Sequence, residues 1–243
     1  MVYEAFETYA YPVVVFFAIL ASFFAAKLLI RIRNKEYTGE LKGKLLTIFT
    51  LLAAGYFLWA AAEVLYEVLF AIGAYTYPSF VDWLWLGGYL FVFSGFSYFS
   101  YYMYSSRGEL AKGISITAAV AIFSGAVVYY IISTYILGAQ GGESQLEIFF
   151  DYFYPIASMA VFISGISVYL FFRKLKEIGV PIFLLAFSSV FDFTANMLYT
   201  YYTWNGVYGV AGVISDSLYI VYYVLAVLAF YKLSRLGTTS HKN

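Results

Sequence analysis

The feature that most limits this chain is a succession of seven apolar runs of roughly 20 residues, each long enough as a helix to cross a hydrocarbon core of about 30 Å. The runs fall near residues 9–31, 45–72, 81–104, 113–136, 148–172, 180–202 and 213–234. In lipid a backbone must satisfy its own N–H and C=O groups, so the pattern predicts an all-α membrane protein with seven transmembrane helices. Composition agrees: 63% of residues are hydrophobic and only 12% are charged, far from the usage of soluble domains. Little sequence is left for a soluble domain, and no output domain is expected within 1–243.

All fourteen Lys and Arg fall on one side of this layout. Lys27, Arg31, Arg33, Lys35, Lys42 and Lys44 flank the first connection, Arg107 and Lys112 the third, and Arg173, Lys174 and Lys176 the fifth. Lys232, Arg235 and Lys242 follow the last run. The positive-inside rule then predicts an N terminus outside, a C terminus in the cytoplasm and a multi-pass protein of the cell membrane. Glu4 and Glu7 stand ahead of the first run where a secretory signal would carry basic residues, so that run is expected to be a retained helix.

Against this apolar background the acids stand out. Trp59, Glu63, Tyr66, Glu67 and Phe70 share one face of the second helix at spacings of three and four, and the third run opens with Asp82 followed by Trp85, Tyr89 and Phe93. An ionisable group inside a membrane helix costs about 2.5–3.5 kcal/mol on insertion scales, and so points to a functional site. Asp192 and Asn196 lie near the middle of the sixth run, and Asp216 near the start of the seventh. If these groups converge, they line an outward acidic cavity with aromatic walls from Trp59, Tyr66, Trp85, Tyr89, Tyr199, Tyr219 and Tyr223. Such a cavity suits a cation or a solute with a cationic or hydroxylated end, because aromatic faces attract cations by about 0.5–2 kcal/mol per contact. Asp82 and Asp216 also fit a plainer role as helix N-caps.

A weak duplication runs through the chain. Tyr9-Ala10-Tyr11-Pro12 matches Tyr152-Phe153-Tyr154-Pro155, and Ala62-Glu63-Val64-Leu65-Tyr66 matches Ala195-Asn196-Met197-Leu198-Tyr199. Asp82, Leu84, Trp85 and Tyr89 match Asp216, Leu218, Tyr219 and Tyr223. The expected organisation is one transmembrane domain built as a 3+1+3 parallel internal repeat: repeat 1 at about 6–104, a linker helix at about 113–136 and repeat 2 at about 148–234. Residues 138–144 read as a flexible external loop and those after Leu236 as a disordered tail.

Several chemistries are set aside. His241 in the tail is the only histidine and cysteine is absent, so neither a catalytic relay nor a thiolate metal site is encoded. No enzyme activity and no cofactor are expected; whether the acids hold a metal is left open, since hard cations accept carboxylate oxygens alone. Retinal would need a lysine inside the bilayer, and Leu218 to Val227 contains none. A formal net charge of zero with no basic patch argues against nucleic acid.

Two resemblances follow from these residues. The 3+1+3 parallel topology is similar to that of SWEET sugar transporters and their PQ-loop relatives, although no Pro-Gln dipeptide is present; this is an analogy of topology. The stretch Tyr77-Pro78-Ser79-Phe80-Val81-Asp82-Trp83-Leu84-Trp85-Leu86-Gly87-Gly88-Tyr89, followed by Ser94-Gly95-Phe96, resembles a segment of the multi-helix membrane sensory regions of prokaryotic signalling proteins. There a Pro-Ser-x-x-Asp turn leads into an aromatic helix. The second resemblance implies a membrane sensor or ligand-binding protein working with a separate signalling partner or as a homo-oligomer in the lipid bilayer. The first implies a small-solute or cation transporter as the alternative, and a carboxylate-dependent lipid-modifying enzyme is the third reading.

Overall fold

A computed structural model of the chain describes residues 2–34, 40–106, 108, 110–136, 144–205 and 208–235. It is helical throughout, with α1 Val2–Asn34, α2 Glu40–Ala71, α3 Phe80–Ser106, α4 Leu110–Ile131, α5 Gln145–Phe172, α6 Lys176–Asn205 and α7 Gly209–Arg235. A π-helical turn, Ile132–Ile136, extends α4. Lys35, Arg107, Lys242, His241, most of the 138–144 loop and the tail from Leu236 lie outside the described residues.

Six helices are long and apolar enough to cross a membrane: α1, α2, α3, α5, α6 and α7. The apolar part of the fourth, Ala121–Thr134, is shorter than a span among the described residues, where the sequence pattern predicts a seventh crossing. The architecture is that of an all-α, multi-pass membrane protein. Large apolar side chains such as Phe16, Phe23 and Ile30 project from α1 at more than half exposure; only a hydrocarbon solvent tolerates such a face.

The six long helices pack in a closed ring, each against two neighbours, in the order α1, α2, α3, α5, α6, α7 and back to α1. The fourth helix lies against α5 and α3. Small residues set how closely the ring closes. Ala18, Ala21 and Ala25 are buried along α1, and Ser22 Oγ donates to the Tyr56 carbonyl of α2 at 2.8 Å. A Cβ on Gly165 of α5 would stand 2.7 Å from Ala186 of α6. At the basic end Arg31 of α1 donates to the Ser234 carbonyl of α7.

The connection between α2 and α3 shapes the opposite end. Gly73 adopts φ +67°, and the N–H of Ala74 returns to the Leu69 carbonyl at 2.8 Å, closing α2 with the left-handed cap that glycine permits. Ser79 then starts α3: its Oγ accepts from Val81 N–H at 3.1 Å, and Asp82 accepts from Ser79 N–H at 2.6 Å. Ser79 Oγ thereby caps an N–H of the first turn, and the Asp82 carboxylate reaches back to the N–H of Ser79.

Along the α2–α3 seam a Cβ on Gly55 would stand 2.8 Å from the Gly88 carbonyl oxygen and collide with the Val92 side chain. Since backbone cannot yield, Gly55→Ile is expected to part the two helices and to cost about 1–3 kcal/mol of stability. Loss of helical circular dichroism on heating in detergent reads this out as a lowered midpoint, and an unchanged midpoint contradicts the close seam.

Candidate functional site

Inside the ring, towards the end opposite the basic residues, lies a cavity of about 60 Å³. Its wall draws on every helix of the ring: Tyr11 and Val14 from α1, Trp59, Glu63 and Tyr66 from α2, Asp82, Trp85 and Tyr89 from α3. Tyr154 comes from α5, Asp192, Asn196 and Tyr199 from α6, and Tyr219, Tyr222 and Tyr223 from α7. The α2–α3 connection adds Tyr75 and Tyr77 to the wall.

Two carboxylates anchor separate hydrogen-bond clusters. Glu63 Oε1 accepts from Trp85 Nε1 at 3.2 Å and from the Tyr223 hydroxyl at 2.8 Å. Asp192 Oδ2 accepts from the Tyr89 hydroxyl at 2.5 Å and from Ser158 Oγ at 2.6 Å. Asn196 completes the second cluster. Its amide donates to Tyr89 at 3.1 Å and to Ser158 at 3.2 Å, while its Oδ1 accepts from the Tyr219 hydroxyl at 2.8 Å.

The aromatic rings are fixed by their own contacts. Gly88 lets the Trp59 indole lie directly on α3, since a Cβ there would strike the ring, and Trp59 Nε1 reaches the Trp85 carbonyl at 3.0 Å. Trp59 stands edge-on to Tyr89 and Tyr222, at 4.9 and 5.8 Å between centroids. Held this way, rings from α2, α3 and α7 form an apolar part of the wall of the cavity that both acids line.

The bonding partners of Glu63 and Asn196 correspond. Glu63 takes one donor from α3 of its own half, Trp85, and one from α7 of the other, Tyr223. Asn196 is bonded to Tyr219 of α7 in its own half and to Tyr89 of α3 in the other. The sequence match that places Asn196 on Glu63 also places Tyr219 on Trp85 and Tyr223 on Tyr89. Tyr66 and Tyr199, matched in the same way, both line the cavity, as do Tyr11 and Tyr154.

Asp82 reaches the cavity chiefly as a cornerstone. Beyond its capping bonds, its Oδ1 accepts from the Tyr154 hydroxyl at 2.7 Å and ties α3 to α5. Tyr77 spans the same gap above it, donating to Asp151 Oδ1 of α5 at 2.8 Å. Burial, with the Asp151 carboxylate alongside, pushes the Tyr77 hydroxyl far above the ordinary tyrosine range, so it remains a donor.

All the residues expected at the site line the cavity except Glu67 and Asp216. Glu67 lies one turn beyond Glu63 towards the connection and is half-buried. Asp216 is buried but bonded to the Tyr208 hydroxyl. It is not an N-cap either, because α7 already begins at Gly209. Sequence reasoning did not assign Tyr11, Tyr75, Tyr77, Tyr154, Ser158 or Tyr222 to the site. For Tyr11 and Tyr154 a signal was present, since each precedes the matched proline of its half.

Comparison with family models, curated proteins and solved structures returns no match. The reading of the site therefore rests on its own geometry.

Tyr89 is the node of the larger cluster, donating to Asp192 and accepting from Asn196. Tyr89→Phe is expected to destabilise the protein by about 1–3 kcal/mol through the groups left unpaired. Thermal unfolding in detergent tests this, and a variant melting with the wild type contradicts the bonded cluster.

Proposed function

We propose that this chain is a membrane ligand-binding protein of the sensor kind, whose cavity takes a small cationic or hydroxylated solute without transforming it. The observation that carries the reading is the placement of Glu63 and Asp192, on different helices, in the wall of one aromatic cavity. Both are more than nine-tenths buried, and burying acids in this way is costly unless something is gained from their charge.

Orientation follows from the positive-inside rule. The basic ends of the helices lie in the cytoplasm, the N terminus outside, and the cavity opens outward across the cell membrane. The fourth helix completes seven crossings as the linker of a 3+1+3 repeat. The closed ring order and the corresponding partners of Glu63 and Asn196 support the two matched triplets. A change in how the triplets sit would pass the ligand's presence to the cytoplasmic helix ends, where a signalling partner or a second copy reads it.

One observation favours transport as a second reading. The bonds from Glu63 to Tyr223 and from Asn196 to Tyr89 run between triplets, so a solute that exchanged these bonds would let one triplet rock against the other.

Gentle purification followed by mass spectrometry is expected to find a small polar compound leaving with the wild type and absent from Glu63→Gln. Lipid alone in both samples contradicts a ligand site. Solute flux in proteoliposomes that is abolished by Glu63→Gln decides for transport over sensing.

A further inference from the structure

The hydrogen bonds to the two acids are one-sided. Glu63 receives both of its donors on Oε1 and Asp192 both on Oδ2. These donors thus leave Glu63 Oε2 and Asp192 Oδ1 towards the cavity that both side chains line, with the Asn196 amide the nearest further donor to Asp192. The Tyr89 hydroxyl donates to Asp192, Ser158 Oγ lies within donating distance of Asp192 and of the Tyr154 carbonyl, and the amide of Asn196 gives one bond to each hydroxyl. This arrangement offers donors to one oxygen of each acid and turns the other oxygen towards the cavity.

Among the described residues no Lys or Arg stands near the two acids along their helices. Along the helix axes Glu63 is about 28 Å from Lys44 and Asp192 about 24 Å from Lys176, at about 1.5 Å of rise per residue. Lys44 is itself engaged over the Tyr102 ring, 4.2 Å from its centroid. Donors soften a buried negative charge but do not cancel it. A cationic occupant would supply the counter-charge that the wall lacks.

The kind of cation is restricted by what surrounds it. Calcium takes six to eight oxygen ligands, and among the described residues there is no group of three or more acidic, histidine or cysteine side chains that could hold a metal. A quaternary ammonium has no N–H to give to the open oxygens. A neutral alcohol would leave two negative charges unbalanced. The cavity of about 60 Å³ equals roughly four to six water-sized units at 10–15 Å³ each, which limits the occupant to a few heavy atoms.

Resting on the reading of this cavity as a ligand site, we propose that its occupant is a small primary ammonium compound. Its N–H groups donate to the open oxygens of Glu63 and Asp192, and its alkyl part lies against Trp59, Tyr89 and Tyr222. The two acids come from opposite halves of the ring, so the bound ammonium links them.

The test uses the full chain in nanodiscs with four probes: propylammonium, tetramethylammonium, calcium and 1-propanol. Trp59 and Trp85 in the wall report binding through tryptophan fluorescence, with thermal shift as the second readout. Propylammonium is expected to bind saturably and at least ten-fold more tightly than the other three. Glu63→Gln and Asp192→Asn are each expected to weaken it ten-fold or more, and Glu177→Gln, exposed at the basic end, to leave it unchanged. Should a cavity variant fail to fold, as judged by circular dichroism, the preference among probes in the wild type decides. Tighter or equal binding of tetramethylammonium, calcium or propanol overturns the primary-ammonium assignment but leaves a ligand cavity. Response to none of the four overturns it as well, and with no compound retained through purification the cavity reading falls too.

Discussion

A carboxylate buried among apolar helices must be met by hydrogen-bond donors, and the rest of this structure is arranged to supply them. Glu63 and Asp192 are met by an indole N–H, two phenols and a serine hydroxyl from α3, α5 and α7. Tyrosine suits this task because its donor sits at the tip of a rigid apolar ring, which packs against helices while the hydroxyl reaches the acid. The 27 tyrosines of the chain are thus more than an interfacial belt: those lining the cavity hold its shape.

The third helix is the hub of this arrangement. Asp82 caps it and binds Tyr154 of α5, Trp85 binds Glu63 of α2, and Tyr89 binds Asp192 of α6. Three residues spaced along one face thereby tie one helix to three others. Corresponding positions of α7 tie the remaining side, through Tyr219 to Asn196 and Tyr223 to Glu63. In the proposed function, an occupant at the acids competes for bonds that also set how the two halves of the ring meet. Binding and helix arrangement are coupled to the extent that the occupant prefers one arrangement over the other.

Much of the fold was legible because lipid leaves few choices: a long apolar run must be a helix, and six of the seven runs are helices of spanning length. The fourth run is also helical, Leu110–Ile131 continued by a π-helical turn at Ile132–Ile136, with an apolar stretch of Ala121–Thr134 among the described residues. Helical spacing also identified the faces that carry Glu63, Asp82, Trp85 and Tyr89, while depth in the sixth run singled out Asp192 and Asn196. It failed where depth and register matter. Glu67 shares a face with Glu63, yet a further turn carries it past the cavity. Asp216 matches Asp82 in sequence, but α7 begins seven residues before it whereas α3 begins only two before Asp82, so only Asp82 serves as a cap. Tyr75 and Tyr77 were not legible because they lie in a connection, where no periodicity assigns a side chain to the interior. Ser158 was hidden as one serine among several on an apolar helix.

The proposed function depends on acids of separate helices sharing one cavity that opens to the side opposite the basic helix ends. The chain has no cysteine, so single Glu63→Cys and Asp192→Cys variants give a clean background for a membrane-impermeant thiol reagent. In sealed vesicles of known orientation, both positions should react from the side facing away from the basic ends and remain unreactive from the other. Labelling from the basic side, or no labelling at either position in protein unfolded only afterwards as a control, would contradict the account.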